Sequence, residues 1–457
     1  MAGYLTTCWK LKYQKVNRKS QYKITSMKNF KTGMKKISHY PWMSMKATVF
    51  MFLVFFLTSA SSCKKNEIEG NENKIIDLDR KSAQLVEADN AFGLELFRQI
   101  RLESTEENLM VSPLSVSVAL AMAYNGAEKE TKSEMEKVLR KSGLTIDEIN
   151  QSYKMLIAAL QSLDEKVVFE IANALYYARG FNVKQAFIKS LEEIYGAEVE
   201  AIDFIAPQAV ETINNWVAEK THDKIEKIIE ELNPLDRLVL LNAIYFYGTW
   251  TKEFDEEGTK MLNFQKQNGS TIEIPMMSKL DKVPYTSNNL FKAIKMPYGN
   301  GQYNMVVMLP QGNNKSGDII SGLSGDKWKE WMQSFQVTDR VSITMPRFKY
   351  SFDVQLKKVL ETMGMEKAFS SSIANFSKIS DEYLYISQAI HKTYIDVNET
   401  GTEAAAVTAL VFSTTSAGNE PPTVPFYVDR PFVFAITEND TGAILFIGEV
   451  NNPEYDQ

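Results

Sequence analysis

Histidine and cysteine supply most protein nucleophiles, general bases and soft metal ligands. This chain of 457 residues has three histidines (His39, His222, His391) and two cysteines (Cys8, Cys63). Both thiols precede residue 64, so the body of the chain cannot hold a disulfide framework, a zinc–cysteine site, a Cys-x-x-Cys pair or a buried catalytic thiol. His-Glu-x-x-His, Gly-x-x-x-x-Gly-Lys-Ser/Thr and Gly-x-Ser-x-Gly do not occur, which removes the commonest zinc, phosphate-loop and nucleophile-elbow chemistries. No metal or cofactor is expected. Ser112 with His391 could form a hydrolytic pair, which would need an exposed nucleophile beside the ring; the other reading of a solitary histidine is a structural one inside a core.

The segment richest in chemical meaning carries no catalytic side chain. Residues 404–419 contain no charge and no proline and are rich in Ala, Val, Thr and Phe. Proline would delete a ladder hydrogen bond, so its absence leaves the segment able to become an interior strand. Strand side chains alternate between faces. One face would hold Thr402, Ala404, Ala406, Thr408, Leu410, Phe412 and Thr414; the other would hold Glu403, Ala405, Val407, Ala409, Val411 and Ser413. The single charge falls on the second face, which is expected to stay toward solvent while the first enters a core. A dozen ladder hydrogen bonds at about 1 kcal/mol each, with Leu410 and Phe412 buried, would yield on the order of 10 to 20 kcal/mol before ordering entropy. That matches the stability of a whole domain, so a fold that withholds this gain is metastable.

The elements around this segment read as α+β. Helical spacing runs over residues 83–101, where Leu85, Phe92, Leu96 and Ile100 share a face. Ser112-Pro113 caps and opens a second helix that Asn125-Gly126 stops. Mixed helical segments are predicted up to residue 231, notably 210–229. Buried strands are predicted at 238–246, 303–309, 341–345, 432–436 and 443–447, the last two joined by a turn at Asn439-Asp440-Thr441-Gly442. Hydrophobic residues make up 44% of the chain, enough for a sizeable core.

Residues 1–62 hold eleven Lys or Arg and no acid; the remaining 395 carry 40 basic and 57 acidic residues, a balance of −17. An acidic body argues against a nucleic-acid partner. Residues 1–44 read as a misassigned or basic leader, with Met43 and Met45 both offering starts before a signal peptide at 45–62. The apolar run 49–57 is too short to span a bilayer, which takes ~20 residues, but suits a signal core. Ala60-Ser61-Ser62 directly before Cys63 resembles a bacterial lipobox, in which the cysteine is acylated. This implies a lipid anchor at Cys63 on the outer membrane or cell surface, a polar tether over 63–80, and secretion if the lipobox reading fails.

Several stretches together resemble the serpin family. Asn108-Leu109-Met110-Val111-Ser112-Pro113-Leu114-Ser115 is similar to the opening of its second helix. Asn242-Ala243-Ile244-Tyr245-Phe246-Tyr247-Gly248-Thr249-Trp250 is similar to a strand of its central sheet and the turn after it, and Val397-Asn398-Glu399-Thr400-Gly401-Thr402-Glu403-Ala404-Ala405-Ala406 to its hinge. Asp429-Arg430-Pro431-Phe432 and the stretch 448–453 complete a match over about 81–453. Thr400 stands where an acid is common, Tyr247 where Lys is common, and Val407 where a small residue is usual.

The resemblance implies a serpin fold: helices in the N-terminal part, a large central mixed sheet, further antiparallel sheets, and an exposed reactive-centre loop that together with its hinge occupies 399–425. It implies a suicide-substrate inhibitor, not an enzyme. A serine protease attacks the loop, and the cut loop inserts into the sheet before the acyl-enzyme is hydrolysed. In the family the cut follows the fourteenth residue after the hinge glycine, which here gives Thr415-Ser416; fourteen residues at ~3.3 Å reach about 46 Å. A small Thr415 favours an elastase-like target, and Phe412 offers a competing chymotrypsin-like site or an inward anchor. The resemblance assigns Glu399, Gly401, Thr402, Glu403, Ala404, Ala405 and Ala406 to the hinge, and Ser112, Ser115, Asn242 and His391 to a cluster beneath the strands that part. Arg347 and Glu399 form an ion pair at the top of the sheet, expected to be partly exposed, and Trp250 packs there. A monomer is expected. The alternative is a binding protein on the same scaffold, whose loop is cleaved without insertion.

Overall fold

The computed structural model describes residues 74–233, 235–403, 421–453 and 455. The first half comprises α1 (Arg80–Glu103), β1 (Leu109–Val111), α2 (Pro113–Gly126), α3 (Lys129–Val138), α4 (Ile146–Gln161), β2 (Val167–Ala178), α5 (Gln185–Tyr195), β3 (Glu198–Ile202), α6 (Gln208–Lys220) and β4 (Leu238–Thr249). The second half comprises β5 (Lys260–Gln265), β6 (Thr271–Ser287), β7 (Phe291–Tyr298), β8 (Tyr303–Pro310), α7 (Ser316–Ser321), α8 (Gly325–Gln333), β9 (Gln336–Pro346), β10 (Phe348–Gln355) and α9 (Leu356–Thr362). It closes with β11 (Ile390–Val397), β12 (Gly401–Thr402), β13 (Val424–Tyr427), β14 (Phe432–Glu438) and β15 (Ile444–Val450).

Two sheets organise these strands. The six-stranded one runs β10-β11-β12-β4-β2-β3; the nine-stranded one runs β1-β15-β14-β8-β7-β6-β9-β13, with β5 beside β6. All five strands expected late in the chain form, each reaching past its apolar run. Antiparallel pairing joins β14 to β15 across the expected turn, where Gly442 takes φ +71°.

The predicted helical region up to residue 231 needs two corrections. β2 and β3 lie inside it as parallel neighbours; Val167, Phe169 and Ile171 of β2 are buried in alternation with exposed Val168 and Glu170, the period-two pattern of a strand. The helix predicted over 210–229 ends at Lys220, because His222 (φ 50°) and Asp223 (φ 62°) take left-handed conformations that no helix can continue.

Ser112 accepts a hydrogen bond from the Ser115 amide, with Pro113 at the first helical position, so α2 begins as expected. Nearly every residue of α2 is buried, placing it between the sheets. Ile244 and Phe246 of β4 face this main core, whereas Leu241 and Ala243 face Ile213, Trp216 and Val217 of α6 on the opposite side. The six-stranded sheet is therefore covered on both faces.

Candidate functional site

The hinge sequence forms a strand two residues long. Gly401 pairs with Thr249 and Thr402 with Gly248 on β4, while Thr402 pairs with Val397 on β11. Among the described residues, β12 is what joins β11 to β4. Only glycine fits at 401: a Cβ there would lie 2.7 Å from the Thr249 Cα and closer still to the Gly248 carbonyl oxygen. Thr402 is buried, and its hydroxyl shares a 2.6 Å hydrogen bond with the Tyr298 hydroxyl. The Tyr298 ring stacks on Trp250 at 4.4 Å.

Glu403 then turns the chain out of the sheet at φ 58°. Its amide donates to the Asp396 carbonyl at 2.7 Å. Its carboxylate lies 2.7 Å from Lys224 Nζ, with the Tyr245 hydroxyl beside it. The expectation that this face of the segment stays in solvent fails here: the Glu403 side chain is 8% exposed, because α6 and the segment after it cover the outer face.

The Arg347–Glu399 pair is also more enclosed than expected. Arg347 reaches Glu399 Oε1 with Nη2 at 2.7 Å and Nε at 2.8 Å, and Thr259 donates its hydroxyl to the same oxygen. The arginine keeps some exposure, but Glu399 is 3% exposed. Loss of a partner would strand a buried charge, which costs about 3 to 5 kcal/mol. Trp250 Nε1 donates to the Asn398 carbonyl at 2.9 Å, and its amide donates to the Thr400 carbonyl at 2.8 Å. Beneath them Lys279 lies 4.4 Å from the Phe254 ring centroid and 3.3 Å from the Asp281 carboxylate. Burial pushes its amine down to about 8.

Lower in the sheet, the Ser112 amide donates to His391 Nε2 at 2.9 Å. The Ser115 hydroxyl donates to Asn242 Oδ1, Asn242 Nδ2 donates to Asn173 Oδ1 at 2.7 Å, and Asn173 Nδ2 donates to the Tyr195 carbonyl at 2.8 Å. The four residues singled out in the sequence thus share one network, extended by Asn173. Burial holds the His391 ring down to about 4, so it is neutral. This arrangement disposes of the hydrolase reading: a main-chain amide engages the ring nitrogen, and Ser112 is fully buried.

Below the network opens an apolar cleft of about 130 Å³. Leu238, Leu240 and Asn242 of β4 form one wall; His391 of β11, with Ser387 and Ala389 just before it, forms the other. A smaller pocket higher up is lined by Ile244, Phe246, Ile395, Thr402 and Glu403. The line between β4 and β11 is therefore open in two places below the hinge.

Ala404, Ala405, Ala406, Phe412, Thr415, Ser416 and Cys63 lie outside the described residues. Sequence reading missed Lys224, Tyr245, Tyr298, Asn173 and Lys279. Each sits in an ordinary strand or loop context, so no local signal marks it.

Residues 87–453 match the model of a family described as serpin, serine protease inhibitor. Intracellular coagulation inhibitor 2 of Tachypleus tridentatus is 34% identical over 406 residues, covering 87% of this chain and 97% of that protein. The native state of the thermophilic serpin tengpin superposes with a TM-score of 0.74 at 31% identity, over 83% of this chain and 96% of tengpin. Human thyroxine-binding globulin in complex with its ligand gives a TM-score of 0.74 at 27% identity, over 82% and 100% of the two chains.

Proposed function

The chain belongs to the serpin family, and on that premise we propose that it is a suicide-substrate inhibitor of serine proteases whose cut loop enters the six-stranded sheet as a new strand. The register of the seated hinge carries this reading. Pairing Thr402 with Gly248 and Val397, and continuing antiparallel to both strands, brings Thr408 between Asn242 and His391. Leu410 then comes between Leu240 and Ala389, and Phe412 between Leu238 and Ser387. Those six partners line the apolar cleft, on the core face that Thr402 already shares. Burying Leu410 and Phe412 there is worth about 1.5 to 3 kcal/mol each.

By the same reading the cut falls at Thr415-Ser416 and the preferred target is elastase-like. Mixing the protein with such a protease should give a complex that survives boiling in detergent. Free protease and nicked inhibitor alone would overturn the proposal. We also place the protein on a membrane through acylated Cys63; Cys63→Ala should shift it to the soluble fraction, and continued membrane association would refute the anchor.

A second reading has support in the likeness to thyroxine-binding globulin, a serpin-fold protein seen with a bound small ligand. Here the scaffold would bind a partner and the nicked loop would stay out of the sheet. Small, uncharged residues at Thr402 and Ala404 favour insertion instead.

A further inference from the structure

Glu403 combines three unusual features. It is a non-glycine residue with a left-handed backbone, a conformation that side chains disfavour. It is also the point where the chain leaves the sheet, and its carboxylate is buried. Lys224 is the nearest cation, at 2.7 Å, and its ammonium also lies 5.5 Å from the Tyr394 ring centroid. The Tyr245 hydroxyl of β4 lies beside the carboxylate, and Asp396 of β11 adds a negative charge nearby. Beyond Tyr245, the His222 ring lies 4.3 Å from the tyrosine ring and 2.8 Å from Glu170.

We propose that Lys224 is a positioning residue that clamps Glu403, holding the intact hinge at two seated residues and setting how readily it withdraws or advances. The proposal rests on the reading of the β4–β11 line as the path of the loop, but its test needs no protease. A buried carboxylate stripped of its cation is strongly disfavoured. Removing Lys224 should therefore expel the hinge, whereas making residue 403 neutral should leave it seated. Burial raises the Glu403 carboxyl above its ordinary range. The seated state therefore takes up a proton more readily than the withdrawn one, and acid should favour seating.

The experiment is deuterium exchange on the intact full chain, reading protection factors for amides 401–403. At pH 7.5, Lys224→Met should lower that protection at least tenfold, with β4 and β11 below the hinge unaffected. Glu403→Gln should be at least as protected as the wild type, and Lys224→Met with Glu403→Gln should return to that level rather than to that of Lys224→Met. Wild-type protection in Lys224→Met, or a double variant as exposed as Lys224→Met, would overturn the clamp. Should Lys224→Met not fold, a pH series in a His222→Gln background carries the test. Protection should rise from pH 7.5 down to 4.5 and stay flat once Glu403→Gln is added; a flat profile with Glu403 present would overturn the proposal. If the clamp holds and no trapped protease forms, the functional reading alone fails.

Discussion

His391 shows how much chemistry a fold can remove from a residue. Its Nε2 accepts the Ser112 amide and its ring is buried, so protonation must break a hydrogen bond and place a charge in the core. The folded value is near 4 against 6.5 for a free ring. Between those values the unfolded chain binds more protons, so stability should fall as pH drops from about 6.5 to about 4, then level off. The total should be about 3 kcal/mol. Urea midpoints measured across this range should show that slope in the wild type and lose it in His391→Gln, which forfeits the hydrogen bond at every pH. Equal slopes in both would show that other groups govern the acid limb.

At the scale of elements, the decisive feature is the line between β4 and β11. Placing a ring at Ala389, opposite the position assigned to Leu410, should obstruct the cleft without touching the hinge. Ala389→Phe should thus lower the fraction of protease trapped several-fold while leaving the rate of loop cleavage unchanged; an unaltered trapped fraction would mean that the loop does not travel this way. Some of this architecture was legible in the sequence. Apolar runs bounded by turn residues placed β4, β8, β9, β14 and β15, and Ser112-Pro113 placed the start of α2, because burial and capping leave local marks. β2 was missed although Val167, Phe169 and Ile171 alternate with exposed residues: that period-two mark spans five residues, and the Ala172-Asn173-Ala174-Leu175 stretch after it carries none. The partners of the hinge were not legible either: Lys224 meets Glu403 across 179 positions of chain, and no short pattern encodes that meeting.

For the whole molecule, the intact form is expected to sit above a more stable one. If the cut loop adds a central strand, the part of that gain left after ordering entropy should raise the melting temperature of the nicked protein, by roughly 1 °C per kcal/mol for a body of this size. Calorimetry on intact and loop-nicked samples measures this, and equal melting temperatures would remove the metastable state altogether. The acidic body is separate from this question and bears on solubility and partner choice.

The polar cluster at the start of α2 carries one more consequence. His391 on one rim and Asn242 on the other are not bonded to each other; each is tied to the same first turn of α2, through the Ser112 amide and the Ser115 hydroxyl. That turn acts as a spacer bar, fixing the gauge of the track between the two strands. An arriving residue finds its berth already measured out by the helix, and a change at Ser112 or Ser115 would mis-set the gauge without touching either rail.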